Sequence, residues 1–160
     1  MAAVSTNVTN LLSPINYAFK LARTPNVNYA VQQVSIPGMN LGSIEIPTPH
    51  IRLPFQGNIN YDELRVTFKV GEDLANYLEI YNWMNALGHP DGYAQYEDLK
   101  SDATVVILAS SKRPSIAVDF TDCYPTSLSS LDFDSTITDI QYVTVDATFK
   151  FTRFYYNIID

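Results

Sequence analysis

Only one stretch of this 160-residue chain has the pattern of a helix, and this limits the class of fold. Between residues 73 and 87, apolar side chains recur at the spacing that places them on one helical face. Asp73 can accept hydrogen bonds from free amides of the first turn, and Gly88 can adopt the left-handed conformation that ends a helix. A stripe of this kind faces either the core or a partner, and we favour the core. It comprises Leu74, Tyr77, Leu78, Tyr81, Met84 and Leu87, flanked by Ile80 and Trp83.

Most of the remaining chain alternates between apolar and polar residues, as strands with one buried face do. This predicts strands over residues 17–21, 29–36, 64–70, 103–109, 116–120, 128–133 and 140–155. The first two should pair as a hairpin, and Tyr124-Pro125-Thr126 should interrupt the sheet because Pro cannot donate to a ladder. About seven or eight strands and one helix predict an α+β fold, a mainly antiparallel β-sandwich or barrel with one packed α-helix at about 73–87.

Residues 37–57 form the least ordinary segment, with four Pro and three Gly among apolar side chains. They are too hydrophobic for a free linker and too broken by Pro for the centre of a sheet. The segment is either a crossover packed on its own subunit or an extended arm packed on another subunit, and we favour the arm. We assign the inter-subunit contacts of the arm to Pro37, Met39, Leu41, Ile44, Ile46, Ile51 and Leu53. Residues 1–13 are expected to form a flexible N-terminal extension, which leaves residues 14–160 as a single domain.

Charge is unevenly distributed along a chain whose formal net charge is −7. The negative net charge argues against a protein that binds nucleic acid by neutralising its phosphates. Residues 1–60 carry three basic residues and one acidic residue, whereas residues 61–160 carry seven basic and sixteen acidic residues. This asymmetry is typical either of a solvated acidic surface or of oppositely charged surfaces that meet in self-assembly.

No pattern predicts catalysis, a cofactor or a metal site. His50 and His89 each stand beside a Pro and lack the spacing of zinc ligands. Asp132 and Asp134 could begin a calcium loop, but the required Gly and distal Glu do not follow. Cys123 is single, so it forms no internal disulfide, and it has no obvious activating base. No apolar run reaches the roughly 18 residues of a membrane span. We expect a protein that is not an enzyme, needs no cofactor and does not enter a membrane.

Three blocks of sequence occur in a distinctive order. The first ends in Ser35-Ile36-Pro37-Gly38. The second is GNINYDELRVT at residues 57–67, followed by an acidic helix start and Trp83 within the helix. The third comprises YPTSL at 124–128, LDFDS at 131–135, DIQ at 139–141 and the last long strand. In this order and spacing, over roughly residues 14–156, the blocks resemble the tail tube proteins of contractile-tailed bacteriophages.

The resemblance implies a structural virion protein that forms hexameric rings with sheets joined around a lumen. Stacked rings would make the inner tail tube through which the genome is ejected. The implied partners are further copies of the chain, the tail sheath protein, the tape measure protein, and baseplate and neck proteins. DNA would pass through without specific binding. Such a protein is assembled in the host cytoplasm and resides in the tail of the virion.

A bore rich in carboxylates would repel DNA phosphates, so the genome would slide rather than bind. The candidate lumen-facing acids are Asp119, Asp122, Asp132, Asp134, Asp139 and Asp146. Baseplate tube initiators, tail terminators, and secretion-system or bacteriocin tubes share this fold and remain alternatives. A ligand-binding β-barrel or an enzyme would instead be a monomer with a defined cavity.

Overall fold

Nine strands and three helices follow one another in the part of the chain that the computed structural model describes. The structure describes residues 11–159, except the side chains of Tyr93, Ala94 and Tyr96, so residues 1–10 of the expected N-terminal extension lie outside the described residues. The elements are β1 (Tyr17–Leu21), α1 (Pro25–Ala30), β2 (Val31–Ser35), β3 (Met39–Pro47), β4 (Arg52–Tyr61), β5 (Leu64–Lys69), α2 (Ala75–Gly88), α3 (Tyr93–Asp98), β6 (Ser101–Leu108), β7 (Pro114–Leu128), β8 (Thr144–Lys150) and β9 (Arg153–Ile158).

Seven strands form one antiparallel sheet, in the order β1-β6-β7-β8-β5-β2 with β9 also paired to β7. The first half of β7 lies between β6 and β9, and its second half pairs with β8. The sheet therefore has two halves joined by one strand, and side chains from both halves meet in a single core that includes Val105, Phe120, Val66 and Phe149. This confirms the predicted α+β class and its mainly antiparallel sheet.

The chain turns from one half of the sheet to the other at Asp122. This residue has a left-handed backbone with φ of 55°, which Asp tolerates better than most residues. Its amide donates to the Asp102 carboxylate at 3.3 Å. Pro125 lies beyond this corner, where β7 pairs with β8 alone. Because no second strand pairs with β7 there, the missing N–H of Pro125 costs no hydrogen bond on that side. The prediction that 124–126 would interrupt the sheet was therefore wrong.

The predicted pairing of the first two strands was also wrong, because residues 25–30 form the short helix α1. Pro25 stands at the first turn, where a missing N–H is tolerated. Asn28 then takes the place of a strand partner for Leu21: its Oδ1 accepts from the Leu21 amide at 2.9 Å, and its Nδ2 donates to the Leu21 carbonyl at 3.0 Å. Strand β2 therefore starts at Val31 and pairs with β5 instead of β1.

The predicted final strand, 140–155, is two strands in the structure, since the chain crosses between the two halves of the sheet after β8. At the crossing, the Thr152 amide donates to the Thr121 carbonyl at 3.0 Å. The Phe151 ring packs against Phe120 with centroids 5.0 Å apart. Residues 129–143, which include most of the predicted strand 128–133, contain no strand.

Helix α2 confirms the expected long helix but is rotated relative to the predicted stripe. Its buried residues are Asn76, Ile80 and Trp83, whereas Leu78 and Tyr81 are 43% and 48% exposed. Two polar contacts fix this rotation. The Trp83 indole donates to the Leu99 carbonyl at 2.6 Å, and the Asn76 amide donates to the Lys69 carbonyl at 2.7 Å. The expectation that Leu78 faces the core was wrong.

The ends of α2 follow the prediction only at the N-terminus. The Asp73 carboxylate accepts a hydrogen bond from the Ala75 amide at 3.2 Å, as expected. Gly88, however, belongs to the helix itself, and His89 caps it with an ordinary φ of −130°. The two six-residue helices α1 and α3 add to the single helix that the sequence predicts.

We expect the Ile80→Ala variant to lower the free energy of unfolding by about 2–5 kcal/mol, because the substitution empties space in a closed core. Leu78→Ala is the matched control and should cost less than about 1 kcal/mol, since its side chain is half in solvent. Urea unfolding should be measured at protein concentrations below those at which sedimentation detects assembly. Equal losses in the two variants would contradict the observed rotation of α2.

Burial raises the pKa of the Cys123 thiol to about 12; a hydrogen bond at the Ala103 backbone opposes this rise, and the Asp102 and Asp122 carboxylates add smaller increases. We therefore expect maleimide at pH 8 to leave Cys123 unmodified in the folded protein and to modify it in urea. An added thiol in Tyr29→Cys, at an exposed position, should react at once. Rapid labelling of folded wild-type protein would show that β7 opens at its corner.

Candidate assembly surfaces

Strands β3 and β4 form a hairpin that, among the described strands, pairs with no third strand. Nine residue steps separate Arg52 at the tip from Tyr61 at the root, a span of roughly 30 Å. Tyr61 anchors the root, with its ring centroid 5.7 Å from that of Phe151 and 5.3 Å from that of Phe154. The segment predicted as an arm over 37–57 is therefore the larger part of a two-stranded hairpin, Met39 to Tyr61. Pro is tolerated in it because each strand has an unpaired edge.

The outer half of the hairpin has an apolar face. Ile44 lies opposite Phe55 and Ile46 lies opposite Leu53, so these four side chains share one side. All four are exposed. Of the seven residues assigned to the arm, Pro37 is buried at the root, and the other six are exposed.

The inner half carries its apolar residues on the opposite side, because Leu41 and Ile44 are three residue steps apart and strand neighbours alternate. The pairing shifts register just beyond Leu41. Gly42 and Gly57 face each other at this bulge, and a Cβ on Gly57 would lie 3.0 Å from the Gly42 carbonyl oxygen. Glycine at position 57 thus permits the close backbone approach.

A second apolar surface is formed by the segment between β7 and β8. Phe133, Ile140 and Tyr142 are 80%, 90% and 70% exposed, which is unusual for side chains of this size. They line an open cleft of about 480 Å³. The other side chains around it include Ser130, Asp132, Asp134, Ile137 and Asp139.

The rim of this cleft is acidic, because Asp132, Asp134 and Asp139 are its charged lining residues. The Thr136 hydroxyl and amide donate to the Asp134 carboxylate at 2.6 and 2.8 Å. These hydrogen bonds lower the pKa of Asp134, so it keeps its charge in mildly acidic solution. At one side, the Lys69 ammonium lies 5.1 Å from the centre of the Tyr142 ring.

The hairpin and the cleft lie at opposite ends of strand β5. The hairpin leads into Leu64, which pairs with Phe149. The cleft segment leads into Thr144, which pairs with Lys69 at the other end. The five residue steps from Leu64 to Lys69 span roughly 17 Å. The subunit therefore carries two different apolar surfaces at its two ends.

The structure does not bring the six candidate lumen acids together. Asp119 lies on the outer face of the β6–β7–β9 half, where it accepts hydrogen bonds from Thr104 and Asn157. Asp146 lies on the outer face of the other half and accepts from the Thr67 hydroxyl. Asp122 is at the corner of β7, and the remaining three acids line the cleft.

The outer face that holds Asp146 is not acidic. Register places the side chains of Arg65, Lys69 and Lys150 on the same face of β5 and β8, since they alternate with buried neighbours. Glu63 forms an exposed ion pair with Lys150 at 3.7 Å. The acidic excess of the chain therefore lies mainly in loops and helices.

Within residues 11–159, no group of three or more His, Cys, Asp or Glu side chains is arranged to hold a metal ion. His50 lies exposed in the turn of the hairpin, and His89 lies exposed after α2. None of the described helices is long and apolar enough to cross a membrane. The features that stand out in this part of the chain are thus surfaces, of the kind that bind other chains.

Comparison with solved structures shows where this fold recurs. A chain of the anti-feeding prophage cap, described as the tube-terminating cap, superposes with a TM-score of 0.71 at 16% identity and covers 99% of this chain and 100% of its own. A chain of the PVC sheath–tube complex, from an extracellular contractile injection system, gives 0.72 at 15% identity over 95% of both chains. A type six secretion system protein gives 0.56 at 10% identity, over 89% of this chain and 82% of its own.

At these identities the likenesses show a common fold. Comparison with curated protein sequences finds no match. The profile of the family described as "Phage tail tube protein" matches residues 3–157, nearly the whole chain. With the antiparallel fold and the projecting hairpin, this match shows that the chain belongs to the phage tail tube protein family.

Proposed function

We propose that this chain is the repeating subunit of the inner tube of a contractile tail, and that it forms hexameric rings which stack around a bore for DNA. The observation that carries the proposal is the hairpin, whose apolar outer face is left in solvent by its own subunit. The tube would be enclosed by a sheath and joined to baseplate, neck and tape measure proteins. Its place is the tail of a virion, after assembly in the host cytoplasm.

The hairpin requires a partner on physical grounds. A two-stranded hairpin is marginally stable by itself in water. Contact with another subunit would bury the largest exposed group of paired apolar side chains in the described strands, which comprises Ile44, Ile46, Leu53 and Phe55. Removing this apolar area from water is favourable. This supports the role of residues 37–57 as the inter-subunit arm.

Ring closure has a separate basis in the main sheet. Strands β1 and β2 end its path, and each has an unpaired side within the described chain. Exposed edges invite pairing with another chain, and a closed ring of subunits removes them. Lateral contacts through these edges and axial contacts through the hairpin would together make a tube.

A terminator of the tube is the second candidate, because the tube-terminating cap of the anti-feeding prophage matches over the full length of both chains. A terminator would stop at single rings, whereas a tube subunit adds ring upon ring. Initiators and the tubes of secretion systems share the same architecture. Electron microscopy of purified protein separates a tube subunit from a terminator or an initiator, since only a tube subunit forms long tubes of uniform bore.

To test the arm, residues 41–59 should be replaced by Asn-Gly, which joins the paired residues Asn40 and Asn60 through a two-residue turn. We expect the variant to keep the circular dichroism spectrum of the folded sheet and to lose tubes, because the body does not depend on the hairpin for its core. A matched control, Tyr29→Ala at an exposed site on α1 outside the hairpin, should keep assembly. Long tubes from the hairpin-deleted variant would contradict the proposal.

The bore is proposed to be net negative, so assembled tubes should not retain labelled duplex DNA even in about 10 mM salt, where the Debye length is about 30 Å. Asp119→Lys and Asp146→Lys then report which half of the sheet lines the bore. Their side chains lie on different outer faces, so we expect only one variant to retain DNA in a sedimentation assay. Retention by wild-type tubes would contradict a repulsive bore.

A further inference from the structure

If the hairpin packs on a neighbouring copy, the surface that receives it must lie elsewhere on the same chain. A contact that repeats along a stack must join two different surfaces of one chain, because a self-complementary surface would stop at pairs. The hairpin and the cleft of residues 130–144 are such surfaces. They lie at opposite ends of β5, at Leu64 and at Lys69, so they cannot satisfy each other within one subunit.

We propose that the outer half of the hairpin of one copy docks in the cleft between β7 and β8 of the next copy. This rests on the proposed self-assembly of the chain and adds the partner surface. The contact is heterologous: each subunit gives one hairpin and receives one.

The chemistry of the two surfaces is complementary. The hairpin presents Ile44, Ile46, Leu53 and Phe55 on one face. The cleft presents Phe133, Ile137, Ile140 and Tyr142, all exposed, so that each surface would cover apolar area on the other.

One charged side chain at the hairpin tip, Arg52, is opposite in sign to the rim of the cleft. The cleft segment carries Asp132, Asp134 and Asp139 with no basic residue between 129 and 143. The tip of the hairpin carries Arg52, whose guanidinium lies 3.1 Å from the exposed Glu45 carboxylate, and His50 in the turn. Arg52 is thus placed at the rim, where ion pairs orient a contact more than they strengthen it.

The cleft could instead receive the segment before β1, in which Leu11, Leu12 and Ile15 are exposed. Residues 11–16 carry no basic side chain, whereas the hairpin tip carries Arg52, which would exchange the exposed Glu45 carboxylate for a carboxylate of the cleft. The hairpin is also paired along its own ladder, whereas residues 11–16 form no strand or helix, so the hairpin would lose less conformational freedom than that segment on docking. These differences favour the hairpin.

Disulfide trapping tests the contact. Ile46→Cys and Ile140→Cys would be combined in one chain and oxidised after assembly. The native Cys123 is buried and its thiol pKa is raised, so it should not interfere. Because each subunit gives and receives one contact, we expect a ladder of covalent oligomers on a non-reducing gel, with several rungs beyond the dimer. Either substitution alone should give no ladder.

Two further pairs serve as matched controls. Ile46→Cys with Tyr29→Cys, at an exposed site on α1, should give no ladder. Leu12→Cys with Ile140→Cys tests the competing segment, and a ladder from that pair alone would overturn the proposal. Tubes seen by electron microscopy without an Ile46–Ile140 ladder would overturn the docking site and leave the tube function standing. Absence of any assembly by wild-type protein would overturn both.

Discussion

The continuity of β7 is the constraint on which the rest of the structure depends. This strand runs from Pro114 to Leu128 and belongs to both halves of the sheet. Because its two ends pair with different neighbours, the chain must turn without breaking the strand, and the extra residue near Asp122 makes the turn. The core then closes between the halves, with Phe120 from one side and Phe149 from the other, both fully buried. Without the turn the two apolar faces would not meet.

The same arrangement determines where the surfaces lie. Pairing of β5 with β8 holds the root of the hairpin at one end and the cleft at the other, and the inward side chains of this ladder lie in the buried core. A force applied to the hairpin is thus carried through paired strands to the cleft. In the stack that we propose, the axial spacing would depend on a ladder of hydrogen bonds instead of a loop. The flexible parts of the contact would be limited to the side chains at each end.

The sequence predicted the class of fold, the long helix and most strands, because alternation and helical spacing are local signals. Prediction from the sequence failed where a side-chain hydrogen bond to another part of the chain overrode the local pattern of apolar residues. Residues 25–30 form a helix because the Asn28 side chain replaces a strand partner for Leu21. The rotation of α2 follows the indole of Trp83 and its bond to the Leu99 carbonyl, a partner sixteen residues away. The hairpin was predicted as an extended segment because its apolar residues stand among prolines, whereas the cleft that we propose as its partner lies in a segment interpreted partly as strand.

The placement of charge limits how a repulsive bore could arise. Neither outer face of the sheet is strongly acidic: Asp119 and Asp102 share theirs with Lys20 and Arg153, and Asp146 is outnumbered by its basic neighbours. If strands line the bore, its carboxylates alternate with bases at close range, and phosphates meet a nearly neutral wall. Repulsion would then come from loops where rings meet, repeated at each level of the stack. A bore of this kind would repel phosphates at each level of the stack and would offer no site that holds DNA between the levels, so a genome could slide along it.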